Sequence, residues 1–288
     1  MPFKFLPTEN AMPELKEEAK YLLRNLEAAA RKKLGQNFMV DEGVLEFIAN
    51  TPNFKKDEKV IEIGPGLGFL TRFLLSHGAD VIAVEKDPAY VDFLKNYFKN
   101  KKFQVVEGDI LETKISDLSG GLPVQVCANI PYNITSPILE WLILQKDFVL
   151  AAVLTVQWEV AERLEAKPGT KAWGPLSVFL RYHAEVSILK RIKAASFSPA
   201  PKVDSAVIRL TFLKKAEHEV KNTALFFSIV RRAFQKRRKT LLNALASDED
   251  AVFSKKNLDA TLRAIGVDPM RRPETLTLQE WANLTNQF

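Results

Sequence analysis

Lys59-Val60-Ile61-Glu62-Ile63-Gly64-Pro65-Gly66-Leu67-Gly68 decides the fold of this chain. A short β-branched run ends in three glycines at alternate positions, and a helical segment, 69–76, follows. Strand, glycine turn and helix in that order open an α/β unit that binds a nucleotide-type cofactor. Glycine is suited to the turn because it carries no side chain to keep a ligand from the backbone. The same pattern can also be a tight turn in an unrelated α/β protein, so the spacing downstream decides between the two.

Downstream, residues 80–84 form a second strand that ends in Glu85, 21 positions past Gly64. An acid at that distance can hold two ribose hydroxyls. A third strand, 103–106, runs into Glu107-Gly108-Asp109, where an acid can accept from an adenine amino group. A fourth, Val124-Gln125-Val126-Cys127-Ala128, ends in Asn129-Ile130-Pro131-Tyr132. Asn129 offers an amide, Pro131 fixes the backbone so that the Ile130 carbonyl can be aimed, and Tyr132 offers a flat face. These suit a flat base whose exocyclic amine is to be modified; the alternative is a turn that uses Asn and Pro for geometry alone. Four successive strand ends thus present glycines, Glu85, Asp109 and Asn129, and ligands of open parallel sheets bind outside the carboxyl ends of the strands. Helical segments at 89–97 and 136–144 supply the crossovers. The apolar run 148–156 reads as a central strand, and 206–212 alternates and closes the sheet.

The flanks add charge and aromatics. Leu15, Ala19, Leu22, Leu23 and Leu26 make an apolar helical stripe within 12–31. Arg31-Lys32-Lys33 then leads into Gly35-Gln36-Asn37-Phe38-Met39; the basic triplet either contacts phosphates or is solvated. Asp41 caps the next helix. Phe197-Ser198-Pro199-Ala200-Pro201-Lys202-Val203-Asp204-Ser205 is held extended by its prolines, with Phe197 either a second aromatic wall for a base or a core residue. After a polar linker at 214–221, helical periodicity continues to the end. There Arg231, Arg232, Lys236, Arg237, Arg238 and Lys239 place six basic residues in nine positions. On a helix, that density favours a phosphate-contacting surface for RNA or DNA over a merely solvated face.

A chain of 288 residues, 47% hydrophobic, accommodates one large domain and a smaller one. The net charge of +6 favours an anionic partner. One cysteine, Cys127, rules out an internal disulfide or a cysteine-cluster metal site, and His77, His183 and His218 show no ligand spacing; no metal is expected. No apolar run is long enough to span a bilayer, and the N-terminus has neither a secretory apolar segment nor the acid-poor composition of a transit peptide. A reduced, cytoplasmic setting without membrane attachment is expected. The absence of a sustained heptad favours a monomer.

Gly-Gln-Asn-Phe at 35–38, Ile61-Glu-Ile-Gly-Pro-Gly-Leu-Gly, Val84-Glu-Lys-Asp, Gly108-Asp109, Asn129-Ile-Pro-Tyr and Phe197-x-Pro-x-Pro-x-Val-x-Ser occur in one order. The chain thereby resembles the ribosomal small-subunit adenine N6,N6-dimethyltransferase family, from about Lys32 to near the C-terminus. Met39 and Ile130 stand where that family commonly has leucine, and Trp158 where a lysine is usual. The resemblance implies a Rossmann-like class I methyltransferase sheet with helices on both faces and a smaller all-α C-terminal domain. Residues 1–31 fall outside the resemblance, and their apolar stripe is read as a helical extension that packs on the body; the resemblance implies a methyltransferase domain at 32–213 and a basic, RNA-binding helical domain at 222–288. S-adenosylmethionine would be the cofactor. Asn37 and the backbone near Met39 would contact it from the N-terminal side, with Gly64 at its methionine portion, Glu85 at the ribose and Asp109 at the adenine, and Gly66 and Asn129 would also bind it. Asn129 and the Ile130 carbonyl would accept from the target amine, Pro131 would set their geometry, and Tyr132 and Phe197 would sandwich the base. The substrate would be two adjacent adenosines in a loop of small-subunit rRNA within an assembling subunit. A macrolide-resistance-type enzyme acting on large-subunit rRNA shares the Asn-x-Pro-Tyr logic, and a binding-only assembly factor shares the fold. A dinucleotide dehydrogenase would need a proton donor and a nicotinamide pocket, and neither pattern is present.

Overall fold

The computed structural model describes residues 14–26, 37–236, 238–247 and 251–288. In chain order the elements are α1 (Leu15–Asn25), β1 (Phe38–Met39), α2 (Glu42–Asn50), β2 (Lys59–Ile63), α3 (Phe69–Ser76), β3 (Asp80–Glu85), α4 (Pro88–Tyr97), β4 (Phe103–Glu107), α5 (Ile115–Ser119), β5 (Val124–Asn129) and α6 (Thr135–Leu144). They continue with β6 (Val149–Gln157), α7 (Trp158–Glu165), α8 (Pro175–His183), β7 (Ala184–Ile192), β8 (Phe197–Ser198), β9 (Ser205–Phe212), α9 (Thr223–Gln235), α10 (Leu241–Leu245), α11 (Lys255–Ala264) and α12 (Leu278–Thr285). Seven strands form one sheet in the order β4-β3-β2-β5-β6-β9-β7. The pairs β4–β3, β3–β2, β2–β5 and β5–β6 are parallel, and β6–β9 is antiparallel. Four of the five residues of β2 are buried, as a strand covered on both faces requires.

From β2 the chain moves outward to β3 and β4, then returns to the other side of β2 for β5 and β6. That reversal is where open α/β sheets bind ligands. Register brings the strand ends level: Ile63 pairs with both Val84 and Ala128, and Glu85 pairs with Glu107. Gly64, Glu85, Gly108 and Asn129 therefore leave the sheet side by side.

Two features differ from the sequence expectation. The strand expected to close the sheet, β9, lies inside it between β6 and β7. Its first four residues are all buried, whereas β7 at the sheet edge alternates between partly buried and exposed positions. The basic helix also stops early. α9 ends at Gln235, and Lys236, Arg238 and Lys239 occupy a turn closed by Lys239 N–H donating to the Lys236 carbonyl at 2.8 Å. A run of like charges disfavours continued helix, and Thr240 starts α10 instead, its hydroxyl accepting from Asn243 N–H.

The chain divides into two compact units. The first holds the described residues up to Ala161 together with Ser187–Phe212. The second holds Glu162–Val186 and Leu213–Phe288. The division expected at 213–222 thus misses 162–186. Trp173, Val178 and Tyr182 from that segment share an apolar cluster with Phe226, Ile229 and Trp281, and the Trp173 indole donates to the Leu276 carbonyl at 3.1 Å. The described part of 1–31 packs on the body, as its apolar stripe leads one to expect. Leu15, Ala19 and Leu22 of α1 are buried in the core of the first unit. Glu18, 4% exposed, takes a two-pronged ion pair from Arg72 on α3, Nη1 at 3.1 Å and Nη2 at 2.6 Å. A fork of this kind fixes orientation as well as distance.

Candidate active site

The strand ends enclose a cavity of about 600 Å³ in the first unit. It is lined by Asn37, Phe38, Met39, Glu62, Gly64, Gly66, Glu85, Lys86, Asp109, Asn129, Ile130, Pro131 and Tyr132. Gly64 and Gly66 take positive φ angles of 62° and 55°, which side-chain-bearing residues rarely adopt. A Cβ built on Gly64 would meet nothing within 4 Å, so this turn borders open space. A Cβ on Gly66 would come within 2.9 Å of the Phe38 ring.

Glu85 is 5% exposed, and its two oxygens accept from Gly66 N–H at 3.1 Å and Asp87 N–H at 2.9 Å. Burial raises its carboxyl above the usual carboxylate range, and those N–H donors oppose the rise. A carboxylate has about four acceptor positions, so two backbone bonds leave capacity for a ligand hydroxyl. Asp109 accepts from Leu111 N–H at 3.0 Å and from the Lys86 ammonium at 2.8 Å; the bond from Lys86 holds its carboxyl below the usual range.

The Asn129 side-chain amide donates through Nδ2 to the Asn37 carbonyl at 3.0 Å. That bond spends a donor and fixes the amide plane, which orients Oδ1 as an acceptor. Tyr132 opens a 3-10 turn, and its hydroxyl lies 2.6 Å from the hydroxyl of fully buried Ser205. Burial raises the Tyr132 phenol, so it stays protonated and serves as a surface rather than a base.

The ribbon of β1 and β8 forms one rim. Phe38 pairs with Ser198 and Met39 with Phe197, and Asp41 secures both sides by capping α2 at Val44 N–H and accepting from Ser196 Oγ. Met39 faces the cavity although only 2% exposed. Phe197, also 2% exposed, packs in the apolar core and does not line the cavity. Of its two sequence readings, the core position is the one Phe197 occupies here.

Glu62 was not singled out from sequence. It is 2% exposed, accepts from the Thr71 hydroxyl at 2.6 Å and lines the cavity. Burial, with the nearby Glu85 carboxylate adding to it, pushes its carboxyl up to about 8. One signal was present: Glu62 is the single charged residue among Val60, Ile61 and Ile63. Of the proposed RNA contacts in the second unit, Arg231, Lys236, Arg238 and Lys239 are exposed, while the Arg232 guanidinium lies 4.9 Å from the Phe253 ring centroid. Arg237 lies outside the described residues, as do Arg31, Lys32, Lys33, Gly35 and Gln36.

Comparison with known proteins agrees with this arrangement. The family model described as ribosomal RNA adenine dimethylase matches residues 27–288. A protein of Myxococcus xanthus named ribosomal RNA small subunit methyltransferase A is 42% identical over 266 residues, covering 92% of this chain and 93% of its own. A Geobacter metallireducens protein of the same name is 42% identical over 260 residues, covering 89% and 94%. Among solved structures, a dimethyladenosine transferase from Plasmodium falciparum aligns with a TM-score of 0.73 at 26% identity, covering 86% of this chain and 95% of that one. The 23S rRNA methyltransferase ErmE aligns with a TM-score of 0.67 at 26% identity, covering 86% and 98%.

Proposed function

The chain belongs to the ribosomal RNA adenine dimethylase family, and from that premise we propose how its cavity carries out the reaction. It is an S-adenosylmethionine-dependent enzyme that dimethylates adenosines of small-subunit rRNA. The observation that carries the assignment of roles is the oriented Asn129 amide, which lines the cavity with Tyr132 at the end of β5, next to β2, which runs into Gly64, and two strands from β3, which ends in Glu85.

The cavity fits the cofactor. Its volume of about 600 Å³ lies in the range of small-molecule sites, a side chain is missing where Gly64 borders open space, and the acceptors match a ligand rich in hydroxyl and amino donors. Glu85 would hold the ribose hydroxyls, Asp109 the adenine amino group, and Asn37, Met39 and the Gly64–Gly66 backbone the methionine portion. When bound, S-adenosylmethionine supplies a methyl group already activated on a sulfonium.

The residues of the chain then have only to present the amine. An adenine amino nitrogen is a poor nucleophile because its lone pair is delocalised into the ring. Asn129 Oδ1 and the Ile130 carbonyl accept from its two protons and turn the lone pair toward the methyl. Pro131 restricts the backbone between Ile130 and Tyr132. Tyr132, locked through Ser205, carries the face of the base. Such positioning can supply up to about 7–11 kcal/mol of the barrier. The nitrogen would become cationic as its new bond to the methyl carbon replaces the bond from that carbon to sulfur, the sulfur leaving as a neutral thioether, so its proton would pass readily to water and no strong base is needed. The base must leave its stack to enter, which favours a loop substrate.

We further propose that the substrate is a pair of adjacent adenosines in an assembling small subunit, met in the cytoplasm by a monomer. The basic turn after α9 and the Arg231 side chain would contact phosphates of the RNA. Among the described residues no helix is long and apolar enough to cross a membrane. The test is transfer of labelled methyl groups to small subunits lacking dimethyladenosine, with large subunits in parallel and digestion to nucleosides. Dimethyladenosine from small subunits alone is expected. Label in large subunits would transfer the chain to the resistance type, and cofactor binding without label would make it a binding-only factor.

A further inference from the structure

Outside the residues that line the cavity, the first unit carries a second built surface. At the end of β6, Gln157 pairs with Ser205, and the next residue, Trp158, donates its backbone N–H to the Asp204 carbonyl at 2.9 Å. Arg191, near the end of β7, lies over the Trp158 ring with its guanidinium carbon 4.4 Å from the centroid. The Asp204 carboxylate fixes that guanidinium through Nε at 3.0 Å, and also accepts from Lys193 Nζ at 3.3 Å and Ala194 N–H at 3.1 Å. Arg191 nonetheless keeps half of its side-chain surface exposed, and Lys193 about three quarters.

We propose that Trp158, Arg191 and Lys193 form a docking platform for the nucleotide next to the target adenosine. The proposal rests on the rRNA methyltransferase reading of the cavity. Three features carry it. A guanidinium plane backed by an indole is a surface on which a base stacks. The bond to Asp204 occupies Nε, which leaves the terminal nitrogens of Arg191, together with the Lys193 ammonium, for a phosphate oxygen. And the platform is tied to the site by a single covalent step: Asp204 precedes Ser205, whose hydroxyl holds Tyr132 at 2.6 Å. A nucleotide docked there lies along the path of a strand that delivers its neighbour to Tyr132. If Asp204 served only to close the β7–β8 loop, its bond to Ala194 N–H would suffice; the ordered, exposed guanidinium would have no use.

The experiment exploits a difference among the four tryptophans. Trp141, Trp173 and Trp281 are 5% exposed or less, whereas Trp158 is half-buried, so quenching by RNA reports on Trp158. Titrating the full chain with a single-stranded, adenine-containing RNA oligonucleotide should quench its emission, and the quench should vanish in Trp158→Phe. In methylation of small subunits, Trp158→Leu and Arg191→Gln should each raise KM for the subunit about tenfold, the range expected for loss of one base stack, with kcat within about twofold. Trp158→Phe, which retains a ring, should stay near the wild-type KM. Absence of quenching in the wild-type chain, or an unchanged KM in Arg191→Gln, would overturn the proposal. Because quenching needs no turnover, a wild-type chain that binds RNA but forms no dimethyladenosine would count against the function alone.

Discussion

At the strand ends, the charged groups that face the cavity are tied down. Glu85 is bonded to two backbone N–H groups, Asp109 to Leu111 N–H and Lys86, and Glu62 to Thr71. In the turn that follows α9, Lys236, Arg238 and Lys239 are instead exposed and succeed one another with no acid between them. The first arrangement holds few groups at fixed positions and discriminates by geometry. The second gathers charge without fixing it and attracts any phosphate chain, with a strength set by salt. A catalytic constellation and an electrostatic handle can thus be told apart by how their side chains are held, and substitutions in the two should fail in different ways.

The largest effect is expected at Asn129. Asn129→Ala removes an acceptor aimed at the amine and frees the Asn37 carbonyl. Its kcat should fall at least about a hundredfold, in line with removal of one preorganised polar group, while cofactor affinity measured by calorimetry changes several-fold at most. Retained turnover would mean that the Asn129–Asn37 bond is merely a loop fastening. Glu85→Ala should show the complementary pattern. Loss of charged hydrogen bonds worth about 1.5–3 kcal/mol predicts a cofactor dissociation constant raised about tenfold or more, with the RNA affinity of the cofactor-free chain unchanged.

Substitutions in the basic turn should do neither. Arg238→Glu with Lys239→Glu should leave cofactor affinity untouched and weaken RNA binding several-fold at moderate salt. The slope of log affinity against log salt should become shallower by about one to two. An unchanged slope would remove this turn from the interface and leave phosphate contacts to the cavity side.

The sequence made the cavity more legible than the turn, for physical reasons. A parallel sheet aligns its strand ends, so glycine, Glu85, Asp109 and Asn129 could be placed together from order and spacing alone. What spacing could not give is which side chains other contacts have claimed. Phe197 lies in an extended strand just ahead of its two prolines as expected, yet its pairing with Met39 sets it in the core. The helix through 236–239 was projected from periodicity on either side, and the break comes from local charge and the Thr240 cap. Segment 162–186 was assigned by its position between strands, but tryptophan and tyrosine burial against α9 and α12 decides its unit.

Glu62 offers the finest test of how tightly the cavity is held. Its carboxyl is pushed from an ordinary 4.5 to about 8, with burial the larger cause and Glu85 a lesser one. Between about pH 4.5 and 8, the folded chain keeps this proton while the unfolded chain releases it. The folded state binds more protons throughout that window, so Glu62 makes stability fall as pH rises, until ionisation of the folded form ends the trend near 8. Glu62→Gln keeps an acceptor for Thr71 and cannot titrate, so it lacks this slope. The melting temperature of Glu62→Gln, relative to wild type, should climb with pH across the window and level off above it. A constant difference would mean that Glu62 is already ionised in the folded chain and that an unseen partner balances its charge. The same comparison made in a Glu85→Gln background, with and without Glu62→Gln, separates the two causes. If burial dominates, the slope due to Glu62 persists without the Glu85 charge; if repulsion between the two carboxylates dominates, Glu85→Gln removes most of it.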